Sequence, residues 1–121
     1  MFINFTNHHS STWSQAQKSA AQNYGEIIDM PFPAVDPDKD ENYINSLADS
    51  FVAEMVKHIP TAVLCQGEMT LAFAVASKLS ALGIAIFAAS SKRIAHEVIG
   101  DKGETIKRSE YRFVKFRKYQ F

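Results

Sequence analysis

The stretch Thr61 to Leu82 constrains the fold more than any other part of this chain. It opens on a short apolar run, Thr61-Ala62-Val63-Leu64-Cys65, that stops before the turn Gln66-Gly67-Glu68-Met69-Thr70. A run that short, partly β-branched and closed by glycine, reads as a strand buried on both faces. The Ala- and Leu-rich segment Leu71 to Leu82 follows, and its composition favours helix. Apolar residues run nearly all the way round it, which predicts cover on several sides. Gly83 stands where a helix would end in a left-handed residue. Ile84-Ala85-Ile86-Phe87-Ala88-Ala89 then completes a strand–helix–strand unit. Parallel strands joined by a helix cross over right-handedly, and ligands collect beyond their carboxyl ends. Gln66 to Thr70 and Ala89 to Arg93 should therefore share one rim.

The rest of the chain extends that unit. Phe2-Ile3-Asn4-Phe5 predicts a first strand, followed by a polar loop from Thr6 to Thr12. Ser14 and Gln17 have capping-box spacing, so a helix is expected from about Ser14 to Tyr24, stopping at Gly25. Glu26 to Met30 reads as a second strand, and Pro31, Pro33 and Pro37 force an extended connection. Asp38 and Glu41 signal a second helix start. Ile44, Leu47, Ala48, Phe51, Val52, Met55 and Val56 then form an apolar stripe, closed by Pro60. Beyond Ala89, Arg93 to Ile99 and Thr105 onward read as a β-hairpin around Gly100-Asp101-Lys102-Gly103, its second arm laying the aromatics of Tyr111 to Phe116 on the core. A helix from Lys92 to Ile99 is the alternative. The expected architecture is one Rossmann-like α/β domain over residues 1–121: a mainly parallel sheet, flanking helices and a C-terminal β-hairpin or strand.

Composition narrows the function classes. A chain of 121 residues suits one domain, and 46% apolar with 21% charged residues argues against disorder. No apolar run is long enough to span a bilayer, and the start lacks the basic residues of a secretory signal. The single cysteine, Cys65, excludes an internal disulfide, reads as a core residue, and fits a cytoplasmic location. Net charge is zero but uneven: residues 1–91 carry four Lys and Arg against nine Asp and Glu, and residues 92–121 carry nine against four. A basic C-terminal quarter attracts a polyanion, or it pairs with the acidic remainder.

Two rim segments carry chemistry. Asn7-His8-His9-Ser10-Ser11 joins the first strand to a helix, where amides and hydroxyls suit phosphate. Ser90-Ser91-Lys92-Arg93 adds two hydroxyls and two cations, and Arg binds phosphate bidentately. Gln66, Gly67, Glu68 and Thr70 lie between them; Glu68 is explained equally by its place at a helix start. Neither GxGxxG nor GxxxxGK[ST] occurs, so a dinucleotide fold site and a P-loop are unsupported. His8 and His9 are adjacent and point apart in extended chain, so they cannot share a metal. Asp36, Asp38 and Asp40 lack the glycine and terminal Glu of a calcium loop. No metal or cofactor is expected, and His58 and His96 read as ordinary surface histidines.

The segments Asn4-Phe5-Thr6-Asn7-His8, Ser10-Ser11, Trp13-Ser14, Tyr24-Gly25-Glu26-Ile27, Pro31-Phe32-Pro33, Val35-Asp36-Pro37, Gln66-Gly67-Glu68 and Phe113-Val114-Lys115-Phe116-Arg117 together resemble small stand-alone CRISPR-associated proteins of type III systems. That Rossmann-like group is similar in design to ring nucleases, and the resemblance spans nearly the whole chain. It departs at His9, where proline commonly follows the histidine. The resemblance implies a homodimer that binds cyclic oligoadenylate, which some members cleave without metal and others only sequester. In the cleaving case His8 is the candidate acid or base, with Asn7, Ser10, Ser11, Gln66, Gly67, Glu68, Thr70, Ser90, Ser91, Lys92 and Arg93 as candidate ligand contacts. Neither a membrane nor duplex nucleic acid is an expected partner. A sequestering module, or a partner-docking protein using its basic tail, is the competing reading.

Overall fold

The computed structural model describes residues 1–121. In chain order it runs β1 (Phe2–Phe5), a 3-10 turn (Ser10–Thr12), α1 (Gln15–Gln22), β2 (Ile27–Asp29), α2 (Glu41–Val56), β3 (Ala62–Cys65), α3 (Met69–Ala81), β4 (Ala85–Ile99) and β5 (Thr105–Lys118). The five strands form one sheet in the order β2-β1-β3-β4-β5. Its first four members are parallel and β5 returns antiparallel to β4. The expected α/β domain with a C-terminal hairpin is the fold observed, and residues 92–99 are strand rather than helix.

β1 and β3 sit at the centre, and every residue of both is buried. Alternation along them sorts their side chains between two layers. Ile3, Phe5, Val63, Cys65 and Ile86 meet Ala48 and Met55 of α2 and Leu71, Val75 and Leu79 of α3. Phe2, Ala62, Leu64 and Phe87 meet Trp13 and Ala21 on the other side, where α1 is the single helix. The tail closes that thinner layer. Phe116 lies 5.2 Å from the ring of Phe2 and is only partly exposed. Tyr111, at 74% exposure, is not core, so the second arm buries fewer aromatics than its sequence suggests.

The helix boundaries show where local chemistry decides. Ser14 caps α1 by accepting from Gln17 N–H, as its spacing predicts, and Gly25 follows with φ of +129°. The cap of α2 is Asp40, which accepts from Tyr43 N–H, rather than Asp38. Asp38 instead donates its N–H to Asp36 Oδ1 in the preceding turn. Gly83 closes α3 with φ of +80°. α3 is covered on one broad face and not all round, since Met69 and Phe73 stand out in solvent.

β4 belongs to two structures. Ala85 to Phe87 pair with β3, but β3 ends there, and β4 continues to Ile99 with β5 alone beside it. At the junction the side chain of Gln66 takes the place of a further strand residue, accepting a 2.8 Å hydrogen bond from Ala89 N–H. From Ser90 onward the hairpin is a two-stranded arm rising past the rim, about 30 Å long at strand spacing. No helix is long and apolar enough to cross a membrane.

Candidate functional site

Strand order places the site. The chain leaves β1 toward β2 on one side, and β3 toward β4 on the other, so the switch point falls between β1 and β3. The loops after these two strands diverge there and leave a cleft of about 780 Å³. Thr6, Asn7, His8, Trp13, Gln66, Gly67 and Ala89 line its lower part, while Ser91 and Glu110 to Phe113, from the base of the arm, form one wall.

The β1 loop owes its shape to a buried polar network. Asn4, almost fully buried, donates from Nδ2 to His8 carbonyl at 2.8 Å and to Asp29 Oδ1 at 2.7 Å. Thr6 Oγ1 donates to Asn4 Oδ1 at 2.8 Å and accepts from His8 N–H at 3.1 Å. Trp13 Nε1–H also donates to the His8 carbonyl, at 3.1 Å. Asp29 holds the far side of the loop through Ser10 N–H at 2.9 Å and Ser10 Oγ at 2.7 Å. Burial works against its charge, but the hydrogen bonds from Ser10 and Asn4, with His9 nearby, outweigh it and lower its pKa. No buried side-chain nitrogen or oxygen lacks a partner.

This network divides the two histidines. His9 Nδ1 accepts from Ser11 N–H at 3.1 Å, and its Nε2 stands 3.2 Å from Asp29 Oδ2. A ring accepting at Nδ1 carries its proton on Nε2, which faces the carboxylate, so both nitrogens are committed to the loop. His8 has its backbone fixed at both N–H and carbonyl, while its ring lines the cleft without a hydrogen-bond partner. It is an unpaired ring on a fixed stem.

The expected residues separate in the same way. Asn7, His8, Gln66, Gly67 and Ser91 converge on the cleft. Ser10 and Ser11 lie behind it, their hydroxyls paired with Asp29 and the ring of His9. Glu68 and Thr70 bond to each other, with Thr70 Oγ1 within 2.8 Å of the carboxylate. That carboxylate also accepts from Thr70 N–H and Leu71 N–H, and these bonds hold its pKa low, the bond from Leu71 most of all. The positive end of α3 is thus already occupied by an anion of the chain's own. Ser90, Lys92 and Arg93 do not line the cleft; β4 runs through them, and Arg93 donates to Ser109 Oγ at 3.0 Å.

Several residues were not legible as site residues. Trp13 supplies a largely buried wall, Tyr111 an exposed ring, and Arg112 a guanidinium paired with Glu110 at 2.8 Å. Tyr111 and Phe113 alternate with charged residues, the one signal that a strand wall passes the rim. Asp29 has no local signal: residues 4, 10 and 29 meet only through parallel pairing of β1 with β2. Gly67 bounds both the main cleft and a second hollow of about 460 Å³ lined by Met69, Phe73, Ala88 and Tyr119. No three His, Cys, Asp or Glu side chains converge as a metal site would require.

No curated protein and no solved structure matches this chain. One family model does, over residues 1–117, which includes every residue of the cleft and of the arm. The chain belongs to the uncharacterized protein MJ1673 family.

Proposed function

We propose that the cleft between the β1 and β3 loops binds a phosphorylated nucleotide, and that this ligand is a cyclic oligoadenylate, as the resemblance to type III CRISPR-associated proteins implies. One observation carries the reading. An open cleft at the switch point brings an exposed aromatic ring, Tyr111, together with the amide side chains of Asn7, Gln17 and Gln66. Bases stack on aromatic faces, and Asn or Gln amides match the adenine edge. Phosphates fall to Arg112 and to the hydroxyls of Thr12, Ser14 and Ser91, because Glu68 already fills the start of α3. Arg112 would exchange Glu110 for phosphate, with no bare charge exposed beforehand.

Cleavage needs little more. The ribose 2′-oxygen forms a bond to its own phosphorus, the bond from phosphorus to the 5′-oxygen breaks, and one proton moves from the first oxygen to the second. The protein must hold that line, and one ring that takes or gives a proton accelerates it. His8 is that ring in this reading. The binding unit is a homodimer, since one small chain leaves the cleft open and two-fold dimers are the commonest assembly.

Labelled cyclic tetra-adenylate incubated with the protein in EDTA tests the proposal. Linear product marks a metal-independent phosphodiesterase, and intact ring retained on the protein marks a sequestering module. An outcome with neither linear product nor retained ring sinks both. Tyr111→Ala should weaken retention by about five- to a hundredfold if a base stacks there.

A further inference from the structure

The arm from Ser90 to Val114 meets the rest of the chain at its base, where Glu110 to Phe113 share the cleft with Trp13, Ser14 and Gln17, but no strand lies along the inner edge of its β4. Beyond Phe87 the inner edge of β4 is unpaired, because β3 has ended and Gln66 satisfies only Ala89. Two-stranded ribbons are marginal in water, and an open strand edge is a template for another strand. Its two edges differ. β5 is blunted by Lys107, Arg108, Arg112 and Lys115, so two β5 edges would bring cations together. β4 carries Ile94, Ala95, Val98 and Ile99 among mixed charges, and Ile99 is 82% exposed.

We propose that the free edge of β4 pairs antiparallel with β4 of a second copy, about a two-fold axis at Ala95. This names the contact of the homodimer in the preceding reading, but it rests on the arm and not on any ligand. The register follows from charge. With Ala95 opposite itself, Arg93 faces Glu97 of the other copy twice over, Lys92 faces Val98, and Ile94 faces His96. A one-residue shift is not open to two copies of the same edge, because residues directly opposite each other must both turn N–H and C=O toward it, as the odd-numbered residues from Ala89 on do, or both away. Shifting by two sets Lys92 against His96 and leaves no opposite-charge pair. Opposite charges directly across strands stabilise and like charges destabilise, so the Ala95-centred register is preferred.

Neither charged group is spent on another charge, although Arg93 would give up its hydrogen bonds to Ser109 Oγ. Neither Arg93 nor Glu97 belongs to any of the four ion pairs of the chain. In this register Ile99 of the second copy lies opposite Ser91, which lines the cleft, so each copy brings its arm tip to the other's site.

The experiment is sedimentation of wild type, Arg93→Glu, Glu97→Arg and a mixture of the two variants, without nucleotide. Wild type should dimerise at micromolar concentration, and each variant alone should dissociate about tenfold more readily or worse, with two repulsive pairs. Mixed together, Arg93→Glu and Glu97→Arg satisfy both pairs and should form a heterodimer as tight as wild type, which also shows that both variants fold. A monomeric wild type, variants that dimerise as wild type does, or a mixture that stays monomeric overturns the proposal. Retention of cyclic tetra-adenylate by a monomeric wild type would leave the cleft reading standing while this one falls.

Discussion

Asp29 holds the β1 loop by accepting from Asn4 and from both donors of Ser10, so replacing its carboxylate strands buried donors. In Asp29→Asn an amide N–H2 would point at groups that themselves donate, a loss of about 1–3 kcal/mol. The pH dependence has a definite sign. Asp29 has a folded pKa below the ordinary 3.8, so its contribution is complete above that value and is lost as pH falls through the folded one. Thermal melts should show the advantage of wild type over Asp29→Asn in full at about pH 6 and fading below about pH 4. His8 gives the opposite kind of prediction, since its ring holds nothing in place. His8→Ala should leave melting temperature and nucleotide retention nearly unchanged. If the ring is the acid or base, single-turnover cleavage at saturating protein should slow by about a hundredfold or more. Unchanged turnover would demote His8 to a lining residue. That His8 and His9 point apart was legible from adjacency. Which one faces the cleft was not, because the choice depends on a carboxylate twenty residues away in sequence.

Elements built on apolar periodicity were the easiest to read. The buried β3, the stripe of α2 and the closure of α3 at Gly83 all follow from patterns that water enforces, and the Ser14 cap follows from a hydroxyl's reach. The extent of β4 was harder to see. Ser90 to Arg93 looks like the polar end of a strand, because an arm in solvent has no core face to impose alternation. The rim chemistry assigned to Lys92 and Arg93 went with that reading, whereas the structure carries them past the cleft. The turn after β3 offers a test of how tightly the elements meet. A Cβ added at Gly67 would come within 2.5 Å of the Phe32 ring. That ring cannot swing away easily, being buried and 4.7 Å from the ring of Phe5. Gly67→Ala should therefore cost about 1–3 kcal/mol, measured by urea unfolding. A neutral result would mean that Phe32 and its flanking prolines shift freely.

For the whole molecule, Cys65 is a reporter already in place. It lies in the central strand with no exposure, and burial pushes its thiol up to about 12. The thiolate is the reactive form, so iodoacetamide should modify the folded protein only through global opening, at a rate that tracks stability across variants. Rapid alkylation of native protein would mean that β3 opens locally. Because β4 starts inside the sheet and ends outside it, one continuous strand should exchange its amide hydrogens on two timescales. Protection at Ala85 to Phe87 follows the core. Protection from Ser90 to Ile99 depends on whatever lies along the open edge, and with a second copy there it would rise with protein concentration while the core stayed constant. The hinge between the two regimes is a single side-chain oxygen, that of Gln66 on Ala89 N–H.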